Sequence, residues 1–129
     1  MFLGNFDTKL TVNRQLALPS RLRSSLGSNR LIIARGFDRC VYGFSTEAWQ
    51  KIAEQELLKP LLTEEGRRMR QKVFSQAEEV DLDSQGRFVI PEYLMETGGL
   101  KELVTIIGAG DHFEIWDKDE WLSYTSTFK

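Results

Sequence analysis

The chain has 129 residues, 41% hydrophobic and 28% charged, with a formal net charge of −2. That composition is ordinary for a globular domain, and no apolar run nears the ~20 residues a membrane helix needs. A single cysteine, Cys40, excludes an intramolecular disulfide and a thiolate metal cluster, while the opening MFLGNFDTKL lacks the basic-then-apolar pattern of a secretion signal, so a cytoplasmic chain is expected.

In chain order, Thr8–Val12 reads as a strand because Thr8, Leu10 and Val12 alternate with Lys9 and Thr11. Asn13-Arg14-Gln15 is a short polar turn, and Leu16–Leu18 a second strand. Pro19 opens a helix over Pro19–Leu26, which Gly27 stops. Arg30–Arg35 and Cys40–Phe44 are strands joined through Gly36-Phe37-Asp38. Ser45 N-caps the next helix. A helical connector follows, in which Leu57-Leu58-Lys59-Pro60 ends one helix and Thr63 N-caps another, with Met69, Val73 and Phe74 as its apolar stripe. Its bases Arg67, Arg68, Arg70 and Lys72 read as a solvated face, or else a subunit contact. Then come strands Val80–Leu82 and Phe88–Ile90 around the turn Asp83-Ser84-Gln85-Gly86. A helix at Pro91–Thr97 is stopped by Gly98-Gly99, strands Val104–Ile107 and Phe113–Trp116 pair, and Asp117 caps a last helix.

The second half replays the first. Laying residues 8–49 over 80–121, an offset of 72, gives seven identities in 42 columns: Leu10/Leu82, Pro19/Pro91, Leu22/Leu94, Gly27/Gly99, Leu31/Leu103, Gly36/Gly108 and Trp49/Trp121. These are turn, helix-start and core residues, the positions a shared fold constrains. A duplication of this kind decides architecture first. Each copy, about 50 residues, is near the lower limit for folding alone, so a shared core is expected. The domain reading is a first repeat over 5–49, a connector over 50–76 and a second repeat over 77–121. The copies differ in charge. Residues 1–39 hold seven bases against two acids, a net +5, and residues 61–129 hold eight against fourteen, a net −6. Binding responds to local potential, so the basic copy is the candidate nucleic-acid face.

The sharpest motif is Asp83-Ser84-Gln85-Gly86-Arg87 followed by Phe88-Val89-Ile90-Pro91. An Asp and an Arg four apart across a turn can clamp it through a charge-assisted pair, or present the Arg to DNA. With Met1-Phe2-Leu3-Gly4, Arg35-Gly36-Phe37-Asp38-Arg39-Cys40 and Gly108-Ala109-Gly110-Asp111-His112-Phe113-Glu114-Ile115-Trp116, the chain resembles the MraZ family along nearly its whole length. The resemblance implies an α+β fold of two tandem, pseudo-symmetric SpoVT/AbrB-like swapped-hairpin repeats with short helices. It also implies a DNA-binding transcriptional regulator of the division and cell-wall gene cluster, nucleoid-associated, assembled as an octamer-like ring that reads direct G-rich repeats near a promoter.

One departure bears on that reading. The family's first copy also carries a D-x-x-x-R loop, its principal DNA reader, yet here the place is Thr11-Val12-Asn13-Arg14-Gln15. The acid has become Thr11, the arginine Gln15, and Arg14 stands where glycine is usual. An Arg14 freed of its acid can still contact phosphate or guanine, and Asn13 or Gln15 can pair with adenine. Lys9, Arg21 and Arg23 are expected around it as phosphate contacts, with Arg87 as a second contact or only a turn clamp with Asp83. The rival reading is an oligomeric interaction protein that has weakened or lost specific DNA binding through this degenerate loop. A single-copy AbrB-like antitoxin is disfavoured by the duplication. Enzyme readings fare poorly. His112 lacks a nucleophile or metal partner in the sequence, Cys40 aligns with it in an equivalent but separate place, and no phosphate loop, metal site or cofactor motif is present. Trp49, Trp116 and Trp121 read as core or interface anchors.

Overall fold

A computed structural model describes residues 1–128. The elements are β1 (Asn5–Lys9), β2 (Gln15–Ala17), α1 (Ser20–Arg23), β3 (Arg30–Arg35), β4 (Val41–Ser45), α2 (Thr46–Glu56), α3 (Glu64–Ser75), β5 (Ala77–Asp81), β6 (Arg87–Val89), α4 (Glu92–Gly98), β7 (Leu103–Gly108), β8 (Phe113–Asp117) and α5 (Lys118–Thr125). Six strands form one antiparallel sheet in the order β1-β7-β8-β4-β3-β5, and β2 and β6 form a separate two-stranded ribbon.

The repeats exchange strands. β1 of the first copy pairs with β7 of the second, and β5 of the second pairs with β3 of the first. The two hairpins meet at β4–β8, where Tyr42 faces Glu114, and the ribbon meets where Leu16 faces Phe88. Both pairs are 72 residues apart, so a pseudo-twofold axis passes through each. Leu16, Leu18, Leu22, Leu31, Ile33 and Val41 from one copy and Phe88, Ile90, Leu94, Val104, Ile106 and Phe113 from the other fill one core. Neither repeat encloses that core without the other's strand, which makes the fold an α+β unit of two interlocked copies.

Local chemistry sets most ends. The side chains of Ser45, Thr63 and Asp117 accept from the backbone N–H of Ala48, Gly66 and Glu120, each capping a helix. Gly99, at φ 62°, ends α4 in the left-handed conformation. Differences from the sequence reading have physical causes. β1 lies at Asn5–Lys9, because Leu10 leads into a turn and Val12 sits at its tip, 97% exposed rather than facing the core. α1 is one turn long: the Ser24 hydroxyl bonds back to Arg21 O and that of Ser25 bonds to Met1 O, which offers the backbone an alternative to helix. The constant offset fails in the outer hairpins. Leu31 pairs with Ser45 and Val104 with Asp117, so Leu31 corresponds to Val104, 73 residues on, and Leu103 is exposed. The slip is recovered in the turns, since Gly36 N donates to Cys40 O where Ala109 N donates to His112 O. Finally, Phe2 joins the sheet edge through a backbone pair with Gly110.

Candidate nucleic-acid interface

The β2–β6 ribbon buries Leu16 and Phe88 beneath it, so the alternate positions Gln15, Ala17, Arg87 and Val89 lie on its outer face. Each strand is entered by a loop of the same construction. In the first, Thr11 N donates to Gln15 O and Arg14 N to Thr11 O. In the second, Asp83 N donates to Arg87 O and Gly86 N to Asp83 O. Side chains complete both turns. Asp83 Oδ1 accepts from Gln85 N at 2.8 Å and Arg87 N at 2.9 Å, while Oδ2 accepts from Arg87 Nε at 3.0 Å. Hydrogen bonds from the Arg87 and Gln85 backbone hold the Asp83 carboxyl below its ordinary range. Thr11 Oγ1 reproduces the two backbone contacts, accepting from Asn13 N at 3.3 Å and Gln15 N at 3.1 Å. Replacing the acid by threonine therefore keeps the turn and loses the charge.

Arg14 has φ 61° and is the described non-glycine residue in the left-handed region. At its counterpart Gly86, φ 75°, the Arg23 guanidinium occupies the space a Cβ would take, so a side chain there would have to displace Arg23. The residue equivalent to Arg23 is Met95, which lines the groove beside Arg14 and leaves room for a side chain. Arg14 is not free. Its Nε donates to Ile90 O at 3.0 Å, and Nη1 lies 3.4 Å from Glu92 Oε1.

The strand exchange also redistributes the basic residues. The first loop lies against the second copy's Met95, Lys101 and Glu102, and Lys9 pairs with Glu102 at 3.1 Å. Arg23, expected near the first loop, instead lies against Gly86 in the second. Arg21 stacks over the Phe6 ring, 5.6 Å from its centroid. Arg23 and Arg87 thus lie at the second loop and Arg21 by Phe6 of β1, while Arg14, Asn13 and Gln15 present the first loop. Asn13 is exposed and Gln15 half-buried.

A family model of the MraZ protein, described as antitoxin-like, matches residues 1–71 and again residues 73–129. The chain belongs to the MraZ family. Among its described residues no helix is long and apolar enough to cross a membrane.

This MraZ-family chain carries a second polar cluster, on the opposite face of the sheet. Glu114, on the pseudo-twofold axis, accepts from Trp116 Nε1 at 2.8 Å and lies 2.8 Å from His112 Nε2, and Asp111 lies 2.7 Å from His112 Nδ1. Cys40 Sγ is 4.0 Å from the same carboxylate. Cys40 and His112, read from sequence as separate, therefore converge on Glu114, because β4 and β8 pair about it. Burial, then Glu114 and Asp38, push the thiol far up, which keeps it protonated. Burial alone would lower His112, but its bonds to Glu114 and Asp111 outweigh this and raise it above 6.5. Burial raises Glu114, yet His112 and Trp116 bring it below 4.5.

The cluster's stabilisation has a defined pH window. The histidine's share is complete below pH 6.5 and lost as pH rises through its folded pKa; the glutamate's is present above pH 4.5 and lost as pH falls through its own. Tyr42 flanks the ring, and Arg35, Glu56 and Lys72 line the cavity beside it. The melting temperature of His112→Gln should fall furthest below wild type between pH 5 and 6, and the difference should shrink as pH rises through the raised His112 pKa. A difference constant with pH would remove the ionic account of this cluster.

Proposed function

We propose that this protein is a sequence-specific DNA-binding transcriptional regulator of the division and cell-wall gene cluster, acting as a ring on direct G-rich repeats near a promoter. The observation that carries the reading is the ribbon with its two equivalently bonded loops, the first of which holds its turn through Thr11 and projects Arg14 in place of the usual loop arginine. A guanidinium has five donors, and Arg14 commits two of them to Ile90 O and Glu92, leaving an edge for phosphate or for guanine O6 and N7. Arg21 and Arg23 supply phosphate contacts, which set position rather than sequence.

One such loop makes few contacts, so tight binding requires several subunits on several boxes. Linked weak sites can gain ~10²–10⁴-fold without a new contact. Head-to-tail subunits match direct repeats in a way that a twofold dimer, suited to palindromes, does not. Titration against a duplex with three or four spaced G-rich direct repeats should give tight binding that weakens steeply with salt, with scrambled and single-box duplexes bound far less well.

A second reading has its own support. Lys9 is paired with Glu102 and Arg14 with Glu92, so both cations at the first loop have acidic neighbours. That favours an oligomeric interaction protein with weakened DNA recognition, a class to which the family's antitoxin-like description also points. Equal weak binding to every duplex, or none, selects it.

A further inference from the structure

The connector lies on the sheet through Trp49 and Ile52 but buries little of itself. α2 fully buries none of its residues and α3 only Gly66. At the tip, between these helices, Leu57, Leu58, Leu61 and Leu62 are 51%, 83%, 56% and 92% exposed. The tip is nevertheless held firmly. Thr63 Oγ1 donates to Pro60 O at 3.1 Å and accepts from Gly66 N at 3.1 Å. Arg67 Nη1 donates to Leu61 O at 3.3 Å and Leu62 O at 3.1 Å. Gly66 packs so closely on the Pro60 carbonyl that a Cβ has no space. Four leucines set rigidly into water are costly to a lone chain and are the preorganised surface an interface needs.

A second apolar surface lies elsewhere on the molecule. α5 stands 72 residues after α2 and occupies the pseudo-equivalent place, with Trp121 corresponding to Trp49. The Trp49 ring is met by Phe74 from α3. The rings that meet Trp121 are Trp116, Tyr124 and Phe128, none of them from a covering helix, and Leu122, Tyr124 and Phe128 remain exposed. The charges are complementary. Arg67 donates through Nη1 to two carbonyls and is paired to no acid among the described residues, so it keeps its positive charge at the tip, while Asp119, one turn before Leu122, is exposed with no cation paired to it among the described residues.

We infer that the leucine tip of one chain docks on the α5 face of a second copy, placing Arg67 near Asp119. The two surfaces differ, so the contact is heterologous: every chain offers one tip and one α5 face, and such contacts propagate head to tail until they close. The inference rests on the ring reading above and names its seam.

Light scattering on the full chain tests it with two variants. Leu58→Asp with Leu62→Asp removes the tip; Leu122→Asp removes the receiving face. All three positions are exposed, so both variants should keep the wild-type circular dichroism. Each alone should be monomeric at 14.9 kDa, where wild type is a multiple of it. Mixed in equal amounts they should form a 1:1 dimer and nothing larger, since one intact seam remains. Assembly of either variant alone to wild-type size overturns the inference while leaving a ring through other surfaces. A monomeric wild type overturns both the seam and the ring. Sedimentation of monomeric wild type with anionic vesicles, lost on changing Leu58 and Leu62, would assign the tip to lipid instead.

Discussion

Phe113→Ala should cost about 3–5 kcal/mol, the range for deleting a buried aromatic ring. Phe113 is fully buried, and its ring centroid is 5.5 Å from that of Phe2. The ring lies over Gly43, its cross-strand partner, so closely that a Cβ at position 43 has no room. The space that an alanine would leave is therefore bounded by the Gly43 backbone on one side and by Phe2, held by its backbone pair with Gly110, on the other, and neither can collapse freely into it. Domains of this size have total stabilities of roughly 5–15 kcal/mol, so the loss would be a large share. Because strands of both copies enclose the site, the variant should still melt in one transition at a lower urea midpoint. A loss below about 1 kcal/mol, or two separated transitions, would contradict the shared core. Gly43→Ala should also destabilise, by roughly 1–3 kcal/mol through overpacking.

The elements were legible in the sequence where they depend on neighbours along the chain. β3 runs over Arg30–Arg35, as four apolar residues between two arginines require, and Ser45, Thr63 and Asp117 cap the helices they precede. The family was legible for a related reason, since its motifs are turn and cap residues read in order. What was not legible depends on which strand pairs with which. Nothing local to Asn5–Lys9 marks β7 as its partner, yet that pairing brings the first loop to Glu92 and Glu102 and, through its twofold mate, Arg23 to the second loop. The convergence of Cys40 and His112 on Glu114 has the same origin. The slip of Leu31 onto Val104 was hidden because an extra residue before β7 is offset by a shorter hairpin turn after it. A count of identities favoured Leu103, whereas strand register and burial both select Val104.

Arg14→Gly separates binding from folding at the first loop. At φ 61° a side chain costs roughly 1–2 kcal/mol relative to glycine. Glycine removes that strain and forfeits the bond to Ile90 O and the exposed contact to Glu92, of which the ion pair contributes ~0–1 kcal/mol. The opposing effects are of similar size, so the melting temperature should move by only a few degrees, and Thr11 still holds the turn through the Asn13 and Gln15 amides. Binding to a multi-box duplex should respond far more. If each engaged subunit loses about fivefold, three or four together lose on the order of 10²–10³-fold, because avidity multiplies what each site contributes. The slope of log K against log salt should shrink by about 0.9 for every phosphate contact removed. Arg14→Lys keeps the charge without the guanidinium fork, and should retain the salt slope while discriminating less between G-rich and scrambled boxes. Should Arg14→Gly bind as wild type does, the first loop is not the reader. Recognition would then have to come from Arg87 and Arg23 at the second loop, where the intact Asp83–Arg87 turn and the exchanged α1 cation already lie together.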